Sequence, residues 1–412
     1  MRFLVLFVSI VLILASCKSE TKKETISISE VKHESFQTLQ NPSVGNSSLP
    51  RLFSNRNKLF LSWIEKKDTV STLNYSTYEN EKWSPTEAVN SGSDWFTNWA
   101  DFPAIASTPN GNVLSSFLQK SAKGTYTYDV KLNLYNAKTN TWKKNFILHN
   151  DGTKSEHGFV SIRPYTGNSF LVVWLDGRET VGKEHGGGQM TLRGAIVFED
   201  GSIEHDILLD ERICDCCQTG VAIGPNDEII AAYRDRSENE IRDISIVRWQ
   251  QEKGWSKPQT IGNDNWKIAG CPVNGPSIDS YGNNVAVAWF TAANDTPKVQ
   301  VAFSQDIGET FGLPIRIDNG NTLGRVDIDM ISDDSAIITW MENKGDDTLL
   351  QVMKIENNGA MGSPIIISKT SAERATGFPQ LEVLGDKIYV SWTDVQSEIS
   401  SIKTATVSID SL

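Results

Sequence analysis

One short segment type returns seven times along this chain, and that recurrence limits what the chain can fold into. The copies read KLFLSWIE, NVLSSFLQ, SFLVVWLD, EIIAAYRD, NVAVAWFT, SAIITWME and KIYVSWTD. With Trp63, Phe117, Trp174, Tyr233, Trp289, Trp340 and Trp392 as anchors, successive copies lie 54, 57, 59, 56, 51 and 52 residues apart. Such a period, filled by short β-rich runs and Gly/Asn/Asp turns, predicts an all-β fold: a β-propeller with four antiparallel strands per blade. The count gives seven blades, or six if one repeat is degenerate.

The order inside each repeat is constant. An inner strand comes first (DFPAIAST, NGPSIDS), then the aromatic-ended strand, then a third strand such as KVQVAFSQD or DISIVRWQ. The outermost strand opens near KWSP, GWSKP or FGLP. The last repeat, 376–409, shows only three strands, and the segment around 25–38 is expected to supply the fourth. Trp63, Trp289, Trp340 and Trp392 read as core residues that pack blade on blade.

The chain opens MRFLVLFVSIVLILASCKSE. One Arg precedes an apolar run shorter than the roughly 20 residues that span a bilayer, so the segment reads as a secretory signal peptide. Leu14-Ala15-Ser16-Cys17 resembles the bacterial lipobox, which implies cleavage before Cys17 and lipid attachment to its sulfur. The expected organisation is a signal peptide at 1–17, a polar tether and closing edge strand at 18–47, and the propeller at 48–412. The expected location is the bacterial cell envelope, lipid-anchored, in an oxidising compartment where disulfides persist. The lipid anchor is then the membrane contact. A net charge of −12 and a pI near 5.0 leave no basic footprint for nucleic acid.

In a propeller the inner strand starts at the face where the second strand ends. Residues before inner strands and after second strands therefore converge on one mouth of the central channel. Before inner strands stand Trp95, Trp99 and Asp101; His157; Cys214, Cys216 and Cys217; Trp266, Cys271 and Asn274; Arg325 and Asp327; and Arg374. After second strands stand Asp176 and Arg178; Arg234, Asp235 and Arg236; Glu342; and Asp394. Charged groups gathered at one mouth predict a ligand site there. Trp95, Trp99, His157, Asp176, Asn274 and Asp327 are the candidate ligand-binding residues. The competing reading of the Arg/Asp groups, YRDRSENEIRDI in particular, is salt bridging between blades. The insertion LDGRETVGKEHGGGQMTLRG, with Glu184, His185 and Arg193, reads as a lid or as a plain flexible loop.

The stretch SQDIGETF at 304–311 matches the Asp-box turn, Ser-x-Asp-x-Gly-x-Thr-aromatic, of sialidase-like (BNR) propellers. Together with WLDGR, CDCCQ, GCPVNGP and LGRVD, it makes the chain resemble bacterial lipoproteins of the sialidase-like superfamily. The resemblance implies three arginines on a substrate carboxylate, an Asp acid/base, and a Tyr nucleophile assisted by Glu. Arginine suits that task because its planar fork binds carboxylates bidentately. Arg178, Arg234, Arg236, Arg325 and Arg374 are the candidates, with Asp101 as the acid. The only C-terminal Tyr candidate, Tyr389, lies inside a second strand, and the Arg-Ile-Pro signature is replaced by LPRLF. The expected ligand is an anionic glycan or small molecule. It is either cleaved, by an exo-α-sialidase-like hydrolase, or only bound.

Four cysteines remain beyond Cys17: Cys214, Cys216, Cys217 and Cys271. An even count in an exported chain favours disulfides, with Cys271 bridging to one of the three. The alternatives are a zinc or copper site and a redox or free-thiol cluster. Adjacent cysteines on extended backbone point apart, which counts against a shared metal.

Overall fold

The computed structural model describes residues 36–412 except 56, 184–187 and 397–398. The lipobox with Cys17, most of the 25–38 segment, and the lid residues Glu184 and His185 lie outside the described residues. The unit from Ser35 to Leu412 is a propeller of seven antiparallel sheets. The degenerate-repeat count of six is set aside, because every anchor residue sits in a sheet of its own.

Blade 1 runs through Ser47–Asn55, Lys58–Lys67 and Val70–Glu79. Blade 3, the most regular, runs His157–Pro164, Phe170–Asp176, Met190–Val197 and Ile203–Ile213. Second strands are buried along both faces; all seven residues of Phe170–Asp176 are buried. That is why these segments read as continuous apolar runs and not as alternation. The indole anchors Trp63, Trp174, Trp289 and Trp340 are fully buried. Outer strands are interrupted where proline falls. In blade 1 Pro85 separates Lys82–Trp83 from Glu87–Gly92, and in blade 4 Pro258 separates Gly254–Trp255 from Gln259–Ile261. A missing N–H is tolerated on an edge strand.

In blade 7, Gln37–Leu39 pairs with Ile399–Ser408, Thr38 opposite Ala405, so the first and last described strands share one sheet. In the turn at 304–311, Ser304 Oγ donates to Asp306 Oδ1 at 2.7 Å, and Thr310 N–H donates to the same oxygen at 2.8 Å. Gly308, at φ 72°, supplies the left-handed step.

Inner strands present unpaired backbone groups to the channel, and side chains from the neighbouring blade satisfy them. Asp279 of blade 5 accepts from Met330 N–H of blade 6 at 2.8 Å. Asp329 of blade 6 accepts from Val383 N–H of blade 7 at 2.7 Å, and Glu382 of blade 7 from Ser54 N–H of blade 1 at 3.0 Å. Burial raises the pKa of all three carboxyls.

Candidate functional site

The channel mouth expected to hold the ligand is largely filled. The cavity at this end of the axis, lined by inner-strand residues such as Arg51, Arg163, Asp327 and Gln380, is about 50 Å³, whereas small-molecule sites occupy roughly 300–1,000 Å³; a second inner-strand cavity, lined by Arg163, Asp279, Asp329 and Glu382, is about 330 Å³. Gln218 spans the mouth: its Nε2 donates to Ala100 O at 2.6 Å, and its Oε1 accepts from Gly275 N–H at 2.9 Å. Phe378 closes the other side and stacks on Trp99 at 5.7 Å between centroids.

Most of the arginines assigned to a substrate carboxylate are occupied by the fold. Arg234 is buried and donates to Asn274 O, Arg242 O and Phe290 O at 2.6–3.0 Å, with its guanidinium over Trp266. Arg325 is buried and donates to Glu373 O, Gly377 O, Ala372 O and Thr376 Oγ1, holding the short turn at Arg374–Thr376 in place. Desolvation lowers its pKa to about 10, with the charge of Arg374 adding to the effect. Arg178 pairs with Asp176 at 2.7 Å and Asp206 at 3.1 Å. Arg236 pairs with Glu240 at 2.8 Å and Asp215 at 3.2 Å. Arg374 differs. It is exposed, its guanidinium lies 6.0 Å from the Trp99 ring, and no carboxylate among the described residues pairs with it. Trp99, half-buried, thus lies within reach of two guanidiniums, Arg325 at 5.1 Å and Arg374.

Asp101 and Asn274 play one structural role twice. Phe159 and Arg325 open the inner strands of blades 3 and 6 with φ of 54° and 55°, at bulges that break the register. Each donates its N–H to a side chain of the preceding blade, Phe159 to Asp101 Oδ1 and Arg325 to Asn274 Oδ1, both at 2.7 Å. The preceding residue is glycine both times. A Cβ at Gly158 would land on Asp101 Oδ2, and one at Gly324 would lie 2.6 Å from Asn274 Oδ1. Asp327 works similarly, accepting from Ser277 Oγ at 2.6 Å and Leu381 N–H at 2.9 Å.

In blades 3 and 6 an acid two residues after the tryptophan caps the indole, whereas in blades 1 and 7, where Glu65 and Asp394 stand at the same spacing, Trp63 Nε1 and Trp392 Nε1 have no hydrogen-bond partner among the described residues. Trp174 Nε1–H donates to Asp176 at 2.9 Å, and Trp340 Nε1–H to Glu342 at 3.0 Å. Trp95 stacks on Phe117 at 4.1 Å and belongs to blade 2 packing, not to the mouth. His157 is buried, stacked on His149 at 3.6 Å, with Nε2 3.2 Å from Asp151.

Two residues absent from the sequence list complete a polar chain with Asp101. Tyr128 Oη donates to Glu156 Oε1 at 2.7 Å and lies 3.3 Å from Asp101 Oδ2. Burial, opposed by the Phe159 N–H and reinforced by the charge of Glu156, pushes Asp101 up to about 8. Burial pushes Glu156 up to about 7. Phe96 covers the Tyr128 ring at 4.2 Å. The signal was available in sequence: Glu156 adjoins His157, and Tyr128 opens a third strand, which also starts at this face.

The expected bridge from Cys271 does not form. Cys214, Cys216, Cys217 and Cys271 are all free, and Cys214 Sγ lies 3.6 Å from Cys217 Sγ and 4.0 Å from Cys216 Sγ. The run 214–217 is a turn, not the extended backbone assumed from sequence, so adjacent side chains converge instead of pointing apart.

No protein-family model matches this chain, and no curated protein sequence matches it. Solved structures do. An ulvan lyase of polysaccharide lyase family PL25, bound to -[GlcA(1-4)Rha3S]-, superposes with a TM-score of 0.56 at 9% identity, over 90% of this chain and 96% of that one. A Dyadobacter fermentans protein of unknown function gives 0.53 at 10% identity, over 91% and 98%. The endosialidase of phage phi92 gives 0.52 at 9% identity, over 91% and 69%. The chain has the sialidase-like propeller fold.

Proposed function

We propose that this chain is an exported, lipid-anchored propeller that binds an anionic glycan at the mouth of its closed channel without cleaving it. The observation that carries the reading is the half-buried Trp99 ring beside the unpaired, exposed guanidinium of Arg374. A guanidinium takes a carboxylate or sulfate bidentately, and the Trp99 ring, already covered by Phe378 and Arg325, offers its exposed edge beside it. The other candidate arginines have internal partners, so the three-arginine clamp of the resemblance has no counterpart here. The fold shared with an ulvan lyase and an endosialidase adds support of a general kind.

A second reading rests on the Asp101–Tyr128–Glu156 chain. Two carboxyls that carry protons near neutrality, joined through a phenol, are acid/base machinery for glycoside cleavage. It requires Phe96 and the segment around it to uncover Tyr128. One experiment separates the two. The full chain is incubated with a fluorogenic sialoside and a panel of uronic-acid glycosides, and binding of uronic and sulfated oligosaccharides is titrated in parallel. Binding without turnover, weakened by Arg374→Ala and Trp99→Ala, supports the first reading. Turnover abolished by Glu156→Gln replaces it with the second.

A further inference from the structure

We infer that Cys214, Cys216 and Cys217, closed off by Cys271, form a binding site for one soft d10 cation, Zn2+ or Cu(I), where the entry loops of blades 4 and 5 meet. The inference is independent of the glycan reading and uses none of its residues.

Geometry comes first. Cys214 N–H is anchored to Arg234 O at 3.0 Å at the end of blade 3, and the turn then brings three sulfurs to one point. All three lie within 4.8 Å of one another, with Cys214 Sγ 3.6 Å from Cys217 Sγ and 4.0 Å from Cys216 Sγ. Thiolates on a tetrahedral zinc at about 2.3 Å stand about 3.8 Å apart, so the triangle is already the size a metal needs. A disulfide would require about 2.05 Å. Cys271 is exposed, on the loop before blade 5, and lies outside the tight triangle on its Cys216 side. It is placed to complete the set from the neighbouring blade.

Charge is the second, separate observation. Arg242 Nη1 donates to Cys214 Sγ at 3.3 Å, and its side chain is buried. Arg234, also buried, gives its donors to backbone carbonyls, which do not neutralise it. Arg242 is also paired with Glu240 at 2.8 Å, so Arg234 is the buried guanidinium beside the cluster that has no carboxylate in contact. Three or four thiolates on Zn2+ carry a net charge of −1 to −2, which would offset it. Binding involves no redox step: each ligand thiol releases one proton to solvent as its sulfur bonds the cation.

A competing cluster fails on geometry. Asp129, His149 and His157 lie close together, with His157 Nε2 3.2 Å from Asp151 and His149 Nε2 3.9 Å from Asp129. However, the rings are parallel within 6° and 3.6 Å apart, so their lone pairs run side by side and do not converge on one ion.

The test is metal analysis of the full chain purified without chelator, followed by anaerobic titration of the metal-free protein with Zn2+, with Co2+ as its spectroscopic stand-in, and with Cu(I) against a chromophoric competitor. We expect one cation per chain, with thiolate-to-cobalt charge transfer if the site takes zinc, or retention against the competitor if it takes Cu(I). Cys217→Ser abolishes stoichiometric binding, whereas Cys271→Ser retains it with weaker affinity. Arg242→Gln keeps every ligand and weakens binding by about ten- to a hundredfold. The wild-type measurement decides even if a serine variant does not fold. The inference is overturned if neither cation binds and all four thiols react freely, or if the intact mass is short by two hydrogens per bridge.

Discussion

The entry loops of blades 2 and 3 and those of blades 4 and 5 occupy equivalent places in the ring, yet they use polar side chains in opposite ways. At blades 2 and 3 the polar atoms answer the fold: Asp101 holds the Phe159 N–H, and Asp176 holds both Trp174 and Arg178. At blades 4 and 5, Asn274 does the same for Arg325, but three sulfurs meet beside two buried arginines with nothing in the backbone to occupy them. A buried polar residue at a propeller mouth is therefore not evidence of a ligand until its partners are counted. The side chains left over by that count, Arg374 and the cysteines, are the ones assigned to ligands here.

The comparison can be broken most sharply at the buried arginines. Arg325→Leu leaves the buried Gly377 O and Thr376 Oγ1 without their donor and empties a buried site, and should cost on the order of 3 kcal/mol, read by chemical denaturation. A loss within 0.5 kcal/mol would return Arg325 to the list of ligand residues. Asp101→Ala leaves the Phe159 N–H unpaired and should cost about 1–3 kcal/mol, while Asp101→Asn keeps an acceptor oxygen and should cost less.

The same pair sharpens the comparison through pH. Asp101 and Glu156 have folded-state pKa values raised to about 8 and about 7. Between the unfolded values near 4 and these values, the folded state binds more protons than the unfolded one. Their contribution is thus fully present below about pH 4 and is lost as pH rises to about 8. Asp101→Asn should gain stability relative to wild type as pH increases from 5 to 8.5; a flat difference would show that the carboxyl is ionised in the fold. Gly158→Ala should destabilise by about 1–3 kcal/mol, because its methyl group meets Asp101. The smallest effect is expected at Arg374→Ala, within about 0.5 kcal/mol, since the side chain is exposed and unpaired among the described residues.

The ring was legible in the sequence because its signal repeats. The apolar second strands and their terminal aromatics return at each blade, and the tryptophans taken as core are buried. Strand direction alone sends inner-strand starts and second-strand ends to one face. What each candidate does there was not legible. A sequence shows that Arg234, Arg325 and Arg374 stand near one mouth, but the difference between them is whether backbone carbonyls of other blades surround the guanidinium, and those contacts join residues up to 56 positions apart. One sequence signal does bear on the site: glycine before Phe159 and before Arg325 marks the space that Asp101 and Asn274 fill. An acid two residues after the blade tryptophan does not predict an indole cap, since it makes one at Trp174 and Trp340 but not at Trp63 or Trp392. The cysteines were misjudged for a local reason: a turn replaces the extended backbone that would have sent Cys216 and Cys217 to opposite sides.

The most direct measurement is calorimetric titration of the full chain and of Arg374→Ala with a glucuronate-containing sulfated oligosaccharide, with the product mixture checked for cleavage. The account predicts that wild type binds and leaves the oligosaccharide intact, and that Arg374→Ala binds about tenfold or more weakly, the loss of a charge-assisted hydrogen bond worth about 1.5–3 kcal/mol, while remaining as stable as wild type. Equal binding by the variant, or cleaved product from the wild type, would contradict it.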